Sequence, residues 1–225
     1  MTGRRVVIVL DLDDTLFPER DYVRSGFTAV DAEVRRAFGR SGFGEAAWAL
    51  FESGRRGRLF DETLERLGLA ADASTIESLV AVYRGHRPTI ALFPDAERFV
   101  RSLAGRARAA IVSDGPLASQ TQKVAGLGLE RWFEPIVLTD RWGRPFWKPH
   151  ERAFREIEAA TGRTGAECVY VGDNPKKDFE APRRLGWRTL RVRRPGGEHA
   201  AADGGGADLE CEDLDEGGRL LGLDG

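Results

Sequence analysis

The sequence predicts an α/β fold, a parallel sheet with helices on both faces, interrupted near its start by an all-helical insert. Three observations carry this reading. Short apolar runs rich in β-branched residues recur along the chain, and helical patterns separate most of them. Residues 17 to about 90 break that alternation with helical patterns and no convincing strand. Alternating strands and helices of this length build a parallel sheet sandwiched between helices.

Val6-Val7-Ile8-Val9-Leu10 is continuously apolar, as a strand buried on both faces must be, and it ends abruptly in Asp11-Leu12-Asp13-Asp14-Thr15. Similar runs follow at Ala109 to Val112, Ile136 to Leu138, Cys168 to Val171 and Thr189 to Val192. Between them, Ala96, Phe99, Val100 and Leu103 recur at helical spacing behind Pro94-Asp95, a helix-start signal. Leu117 to Leu127 stops at Gly128, and Pro149 to Ala160 stops at Gly162. The insert is expected to hold helices near Val23 to Phe38, Glu45 to Phe51, Phe60 to Leu67 and Ile76 to Tyr83. Pro195 to Gly206, rich in Gly, Ala and charge, reads as a mobile loop. Leu209 and Cys211 alternate with acids as in a short last strand, and Leu214, Leu220 and Leu221 suit a closing helix.

Composition narrows the function classes. A chain of 225 residues fits one ordinary domain or a core with a small insert. Its net charge of −2 supplies no positive field for nucleic acid or an anionic membrane. No apolar run reaches the ~18 residues of a membrane span, and Val6 to Leu10 is too short for a signal-peptide core. Two cysteines, Cys168 and Cys211, make no disulfide framework; they read as small buried hydrophobes in a cytoplasmic protein. Cations are almost all arginine: only Lys123, Lys148, Lys176 and Lys177 are lysines, so each hints that a compact ammonium matters there. For Lys123 and Lys176, chance is the better explanation.

Four places carry chemistry. At Asp11-x-Asp13-x-Thr15, two carboxylates stand just past a strand end, where they repel unless a cation sits between them. A turn and helix cap is the competing explanation for this site taken alone. Ile111-Val112-Ser113-Asp114-Gly115 ends a strand in a hydroxyl and free backbone N–H groups, which can hold a phosphate or form an ordinary turn. Lys148-Pro149 offers a point charge, or a solvated surface lysine. Val171-Gly172-Asp173-Asn174-Pro175-Lys176-Lys177-Asp178 places one acid at a strand end and another five residues on. Oxygen-only ligands suit Mg²⁺, although Asp178 also fits the first turn of a helix.

In this order the four sites resemble the motifs of the haloacid dehalogenase-like superfamily. Asp11 to Thr15 matches DxDxT, Ser113 the hydroxyl of the second motif, Lys148 the third-motif lysine, and Gly172-Asp173 through Asp178 the GDxxxxD form of the fourth. The likeness spans nearly the whole chain. It implies a Rossmann-like three-layer core (residues 1–16 and 91–225) and a small α-helical cap (residues 17–90). It further implies that Asp11 attacks phosphorus to form an aspartyl-phosphate and that Asp13 serves as general acid and base. Mg²⁺ would be held by Asp11, the Asp13 carbonyl and Asp173, with Asp178 supporting it directly or through water. Ser113, Lys148 and the N–H groups near Asp114 and Gly115 would bind phosphoryl oxygens.

Dehalogenases of the superfamily lack the second acid of the first motif, which is present here as Asp13. Phosphonatases need a cap lysine, and residues 17–90 contain none. A phosphomutase keeps all four motifs and stays open, as does a binding protein on the same fold. The expected substrate is a small phosphomonoester such as a sugar phosphate, phosphoglycolate or a nucleoside monophosphate. Arg24, Trp48, Phe51, Phe60, Tyr83, Arg84 and His86 are candidates to line its site, with His86 read as a structural histidine. Trp142, Trp147 and Trp187 suit the core or a partner surface. Oligomeric state is not legible.

Overall fold

A computed structural model describes residues 6–204 and 206–223. The chain opens with β1 (Val7–Leu10) and then runs through four helices: α1 (Glu19–Phe38), α2 (Phe43–Glu52), α3 (Leu59–Arg66) and α4 (Ala73–Gly85). It continues through α5 (Pro94–Ser102), β2 (Arg108–Ser113), α6 (Leu117–Leu127), β3 (Ile136–Leu138), α7 (Arg152–Thr161) and β4 (Cys168–Gly172). The last elements are α8 (Glu180–Arg184), β5 (Arg188–Val192), β6 (Leu209–Cys211) and α9 (Leu214–Leu221). The strands form one sheet in the order β3-β2-β1-β4-β5-β6, with every pairing parallel.

Alternation along each strand divides the core. Ile8, Leu10, Ile111, Val169 and Val171 face one side, with Phe99 and Val100 of α5, Val124 of α6 and Leu214 of α9. Val7, Val9, Val112, Cys168 and Tyr170 face the other, with Phe154 and Ile157 of α7. This two-sided burial is why the strands read as unbroken apolar runs. Both cysteines are buried and unpaired, and burial pushes each thiol up to about 12.

The four inserted helices pack round an apolar cluster of their own, centred on Phe27, Val30, Val34, Phe43, Leu50 and Leu64. The strands on either side of the insertion are not pulled apart by it: Phe93 N–H returns to Leu16 C=O at 2.9 Å. Helix α1 starts four residues before the apolar pattern because the Asp14 carboxylate accepts the Glu19 N–H at 2.9 Å. The Asp72 carboxylate extends α4 in the same way, accepting from Thr75 N–H. Helix α7 begins later than its pattern, because His150 N–H turns back to Trp147 C=O.

Residues 195–204 form no helix or strand, as their composition implies, but their main chain is tethered. Arg191, 1 % exposed within β5, donates to the carbonyls of His199, Ala202 and Gly204 at 2.8–3.0 Å. Arg193 adds two bonds to Ala200 C=O. A second buried arginine, Arg194, donates to Thr15 C=O and forks onto Asp95, fixing the turn after β1 against α5.

Candidate active site

The two halves of the sheet part at β1: the chain goes to β2 on one side and, later, to β4 on the other. Ligands bind at such a switch point, outside the carboxyl ends of the strands. Asp11 follows β1, Ser113 ends β2 and Asp173 follows β4, so topology alone brings three separated motifs together. A cavity of about 480 Å³ opens there, lined by Asp11, Asp13, Asp114, Gly115 and Asp173 from the sheet. Phe60, Tyr83 and Arg84 line it from the insert.

Carboxylate oxygens of Asp11, Asp173 and Asp178 lie within 4.8 Å of one another, and all three residues are buried. Lys148 is the cation among them. Its Nζ stands 2.8 Å from Asp11 Oδ1, 2.8 Å from Asp178 Oδ1 and 2.7 Å from the Tyr170 hydroxyl. Asp178 is fixed again by the Asn174 N–H, which donates to Oδ2 at 2.8 Å. Asp173 makes no ion pair or hydrogen bond through its carboxylate among the described residues. Burial first, then the charges of Asp178 and Asp11, push it up to about 9. Asp11 is pushed up to about 6, by burial above all, with Lys148 opposing and Asp178 adding. Three buried carboxylates facing one ammonium leave a deficit of positive charge, and the donors are all hard oxygens. This set fits Mg²⁺.

The Asp13 carboxylate stands apart from that cluster. Its Oδ1 accepts from Lys123 Nζ at 2.6 Å and its Oδ2 from Gln120 Nε2 at 2.8 Å. Lys123 is 3 % exposed and lies over the Tyr22 ring, 4.5 Å from the centroid. Chance is therefore the poorer explanation for Lys123, and Lys148, 5 % exposed, is no solvated surface lysine. Sequence reasoning missed both α6 residues; a polar pair three apart on a helix that otherwise buries Val124 and Leu127 was the available signal.

Asp114 is a brace. Its Oδ1 accepts Lys148 N–H at 3.0 Å and the Thr139 hydroxyl at 2.7 Å, and its Oδ2 faces Lys177 Nζ at 3.2 Å. Burial raises this carboxyl, but Lys148 and Lys177 together hold it below the usual range. The Asp114 and Gly115 N–H groups donate to no other described residue. Gly115 has φ +126°, and a Cβ there would sit 2.7 Å from Gln120 Nε2, so only glycine fits. Ser113 is 1 % exposed; its hydroxyl lies beneath the cavity, 3.3 Å from Gln120 Nε2. Lys148 and Asp178 likewise lie under the lining rather than in it.

Of the residues proposed to line the site from the insert, Phe60, Tyr83 and Arg84 do so, and Phe51 lines the adjoining opening. Arg24, Trp48 and His86 do not. His86 is structural: its ring nitrogens meet Tyr83 C=O at 2.7 Å and the Ser25 hydroxyl at 3.1 Å. Trp187 is core, donating to Glu158 at 3.0 Å, whereas Trp147 faces the cavity with its Nε1–H on Asp140. An acidic trio, Asp14, Glu19 and Glu198, stands at the cavity wall.

A doubly wound parallel sheet with carboxylates and ammonium groups gathered at its switch point is an enzyme architecture for an anionic substrate. The family model for haloacid dehalogenase-like hydrolases matches residues 6–186, and the chain belongs to this family. Among curated proteins, it is 29 % identical to a phosphoserine phosphatase of Thermus thermophilus, covering 84 % of this chain and 88 % of that one. It is 25 % identical to a glyceraldehyde 3-phosphate phosphatase of Methanocaldococcus jannaschii, over 82 % and 83 % of the two chains. The fold is shared with the HAD-hydrolase YfnB of Bacillus subtilis, solved with magnesium, at TM-score 0.66 and 18 % identity over 97 % and 99 % of the chains. It is also shared with an L-2-haloacid dehalogenase of Xanthobacter autotrophicus, at TM-score 0.61 and 23 % identity over 96 % and 98 %.

Proposed function

We propose that the chain is a Mg²⁺-dependent phosphatase of small phosphomonoesters, working through an aspartyl-phosphate on Asp11. The observation that carries this is the buried trio Asp11, Asp173 and Asp178 beside a separately held Asp13, with Asp11, Asp13 and Asp173 lining one cavity and Asp178 beneath it. Asp11 Oδ attacks phosphorus, the P–O bond to the substrate alcohol breaks, and a protonated Asp13 gives its proton to the departing oxygen. Water then attacks the same phosphorus. Asp13 takes the water's proton, the bond to Asp11 Oδ breaks, and phosphate leaves with both side chains restored.

Lys123 and Gln120 orient Asp13 for both transfers by holding its two oxygens. Lys148 keeps Asp11 ionised and aimed. Asp11, the Asp13 carbonyl and Asp173 would hold Mg²⁺, with Asp178 behind them; when bound, it supplies neutralisation of phosphoryl charge. Ser113 and the N–H groups of Asp114 and Gly115 complete the anion site. Residues 17–90 act as a cap that shapes specificity over a core made of residues 1–16 and 91–225.

Asp13 and the fourth-motif acids separate this site from a metal-free dehalogenase. The size of the cavity suits a small ester, and the two curated relatives are named for three-carbon phosphates. The test is phosphate release from a panel including phosphoserine, glyceraldehyde 3-phosphate, sugar phosphates, phosphoglycolate and nucleoside monophosphates, with Mg²⁺ and with EDTA. Metal-dependent release from a few members is expected. A folded, Mg²⁺-binding sample that releases phosphate from none of them overturns the proposal.

A further inference from the structure

We propose that the substrate's alcohol is a hydroxylated sugar carrying a planar ring, as in a nucleoside 5′-monophosphate; this rests on the phosphatase reading above. The cavity over Asp11 does not end behind a three-carbon ester. It runs on into a second cavity of about 980 Å³ between the insert and the core. Asp14, Glu19, Phe60, Tyr83, Trp147 and Glu198 are walls of both. A three-carbon phosphate bound at Asp11 occupies the inner end and leaves the larger chamber to water.

The chemistry of the wall changes along this path. Aromatic rings face the outer chamber from both sides, Phe51 and Phe60 from the insert and Trp147 from the core. Two of them are held in place before any ligand arrives. Phe60 packs on Phe43 at 5.6 Å and edge-on to Tyr83 at 5.7 Å between centroids, and the Trp147 Nε1–H is fixed on Asp140 at 3.0 Å. Rigid platforms cost a ligand little ordering, and any planar base offers them a π face. Arg56 lies 4.2 Å over the Phe51 ring and Arg144 5.6 Å from the Trp147 centroid. Both line the outer chamber alone, and neither has an acidic partner among the described residues. Their N–H groups suit the carbonyl oxygens and ring nitrogens along the edge of a base. At the shared waist, the carboxylates of Asp14, Glu19 and Glu198 offer acceptors. Sugar hydroxyls supply the matching donors, whereas a carboxylate on the ester would be repelled. From Asp11 outward the wall therefore matches a phosphoryl group, hydroxyls and a ring, in that order.

The experiment compares ribose 5-phosphate with adenosine and uridine 5′-monophosphates, which share its primary leaving oxygen and differ by the base. We read kcat/KM on each for wild type, Phe60→Leu and Trp147→Leu; leucine keeps an apolar side chain and removes the ring. Stacking of one base is worth about tenfold or more, so wild type is expected to favour at least one nucleotide over ribose 5-phosphate by that factor. Both variants should pull this ratio toward one. A general loss of folded enzyme lowers the two substrates alike and leaves the ratio unmoved. A wild-type ratio of one or below overturns the proposal, as does a ratio that keeps its wild-type value in both variants. So does turnover confined to three-carbon esters, which leaves the phosphatase reading standing. No release from any ester removes that reading, and this proposal with it.

Discussion

Gly172→Ala is the sharpest structural test of the acid cluster proposed to hold Mg²⁺, because it adds one carbon and no charge. A Cβ at this last residue of β4 would lie 2.5 Å from Asp178 Oδ2, 2.9 Å from its Cγ and 3.2 Å from Tyr170 Cε1. Asp178 cannot step aside: it is 0 % exposed and held at 2.8 Å by both Lys148 and the Asn174 N–H. Overpacking of this kind costs roughly 1–3 kcal/mol, against which the stiffer alanine backbone returns only about 0.4–1 kcal/mol. For a chain of this size each kcal/mol moves Tm by roughly 2–4 °C, so a fall of a few degrees, up to about 10 °C, is expected in a melt without metal. The displaced Asp178 should also raise the Mg²⁺ concentration needed for half-maximal turnover. Gly85→Ala is the matched control, since a Cβ there meets nothing within 4 Å at the exposed end of α4. It should be neutral or slightly stabilising. If Gly172→Ala melts with wild type and keeps its Mg²⁺ requirement, the crowding of Asp178 is not real and the cluster is built differently.

Four further outcomes are expected. Asp11→Asn should fold and lose essentially all phosphate release, while Asp173→Asn should weaken Mg²⁺ dependence more than it weakens folding; calorimetry beside turnover separates the two. Lys123→Met should cost up to about a hundredfold in kcat/KM by letting Asp13 drift, and wild-type kinetics would remove its orienting role. Mg²⁺ should stabilise more at pH 8 than at pH 5. Asp11 and Asp173 have folded values raised from 3.8 to about 6 and about 9, so their contribution to metal-free stability is present at low pH and lost as pH rises through that window. Mg²⁺ restores it by replacing the protons, and a metal-induced Tm shift that is flat with pH would contradict this. Arg194→Met should cost about 3 kcal/mol or more, because buried Asp95 loses its cation and keeps only the Leu214 N–H, and Thr15 C=O loses its donor; a Tm within a degree or two of wild type would refute it.

What the sequence disclosed follows from where its information is local. Val7 to Leu10 and Cys168 to Val171 are apolar on both faces, so they announce buried parallel strands, and acids at such strand ends stand out. That is why Asp11, Asp13 and Asp173 are legible in the sequence itself. The contacts that tune them are long-range. Lys123 meets Asp13 across 110 residues and Tyr170 reaches Lys148 from inside a strand that reads as plain core. Trp147 looks like any other tryptophan until the loop after β3 turns it into the cavity. Helix ends shifted because polar contacts set them: Asp14 accepts the Glu19 N–H and Asp72 accepts from Ser74 and Thr75, and apolar periodicity shows neither.

Arg191 has a bearing on how this protein can diversify. It grips the segment carrying Glu198 and His199 entirely through carbonyl groups, which every amino acid supplies alike. The grip is thus blind to the letters it holds. The side chain of Glu198 can be exchanged without renegotiating the strand beneath, whereas the His199 ring also meets Asn174 Nδ2 at 2.8 Å, so a library randomised at Glu198 should yield mostly folded variants. Side-chain chemistry and architecture are separately heritable at that position.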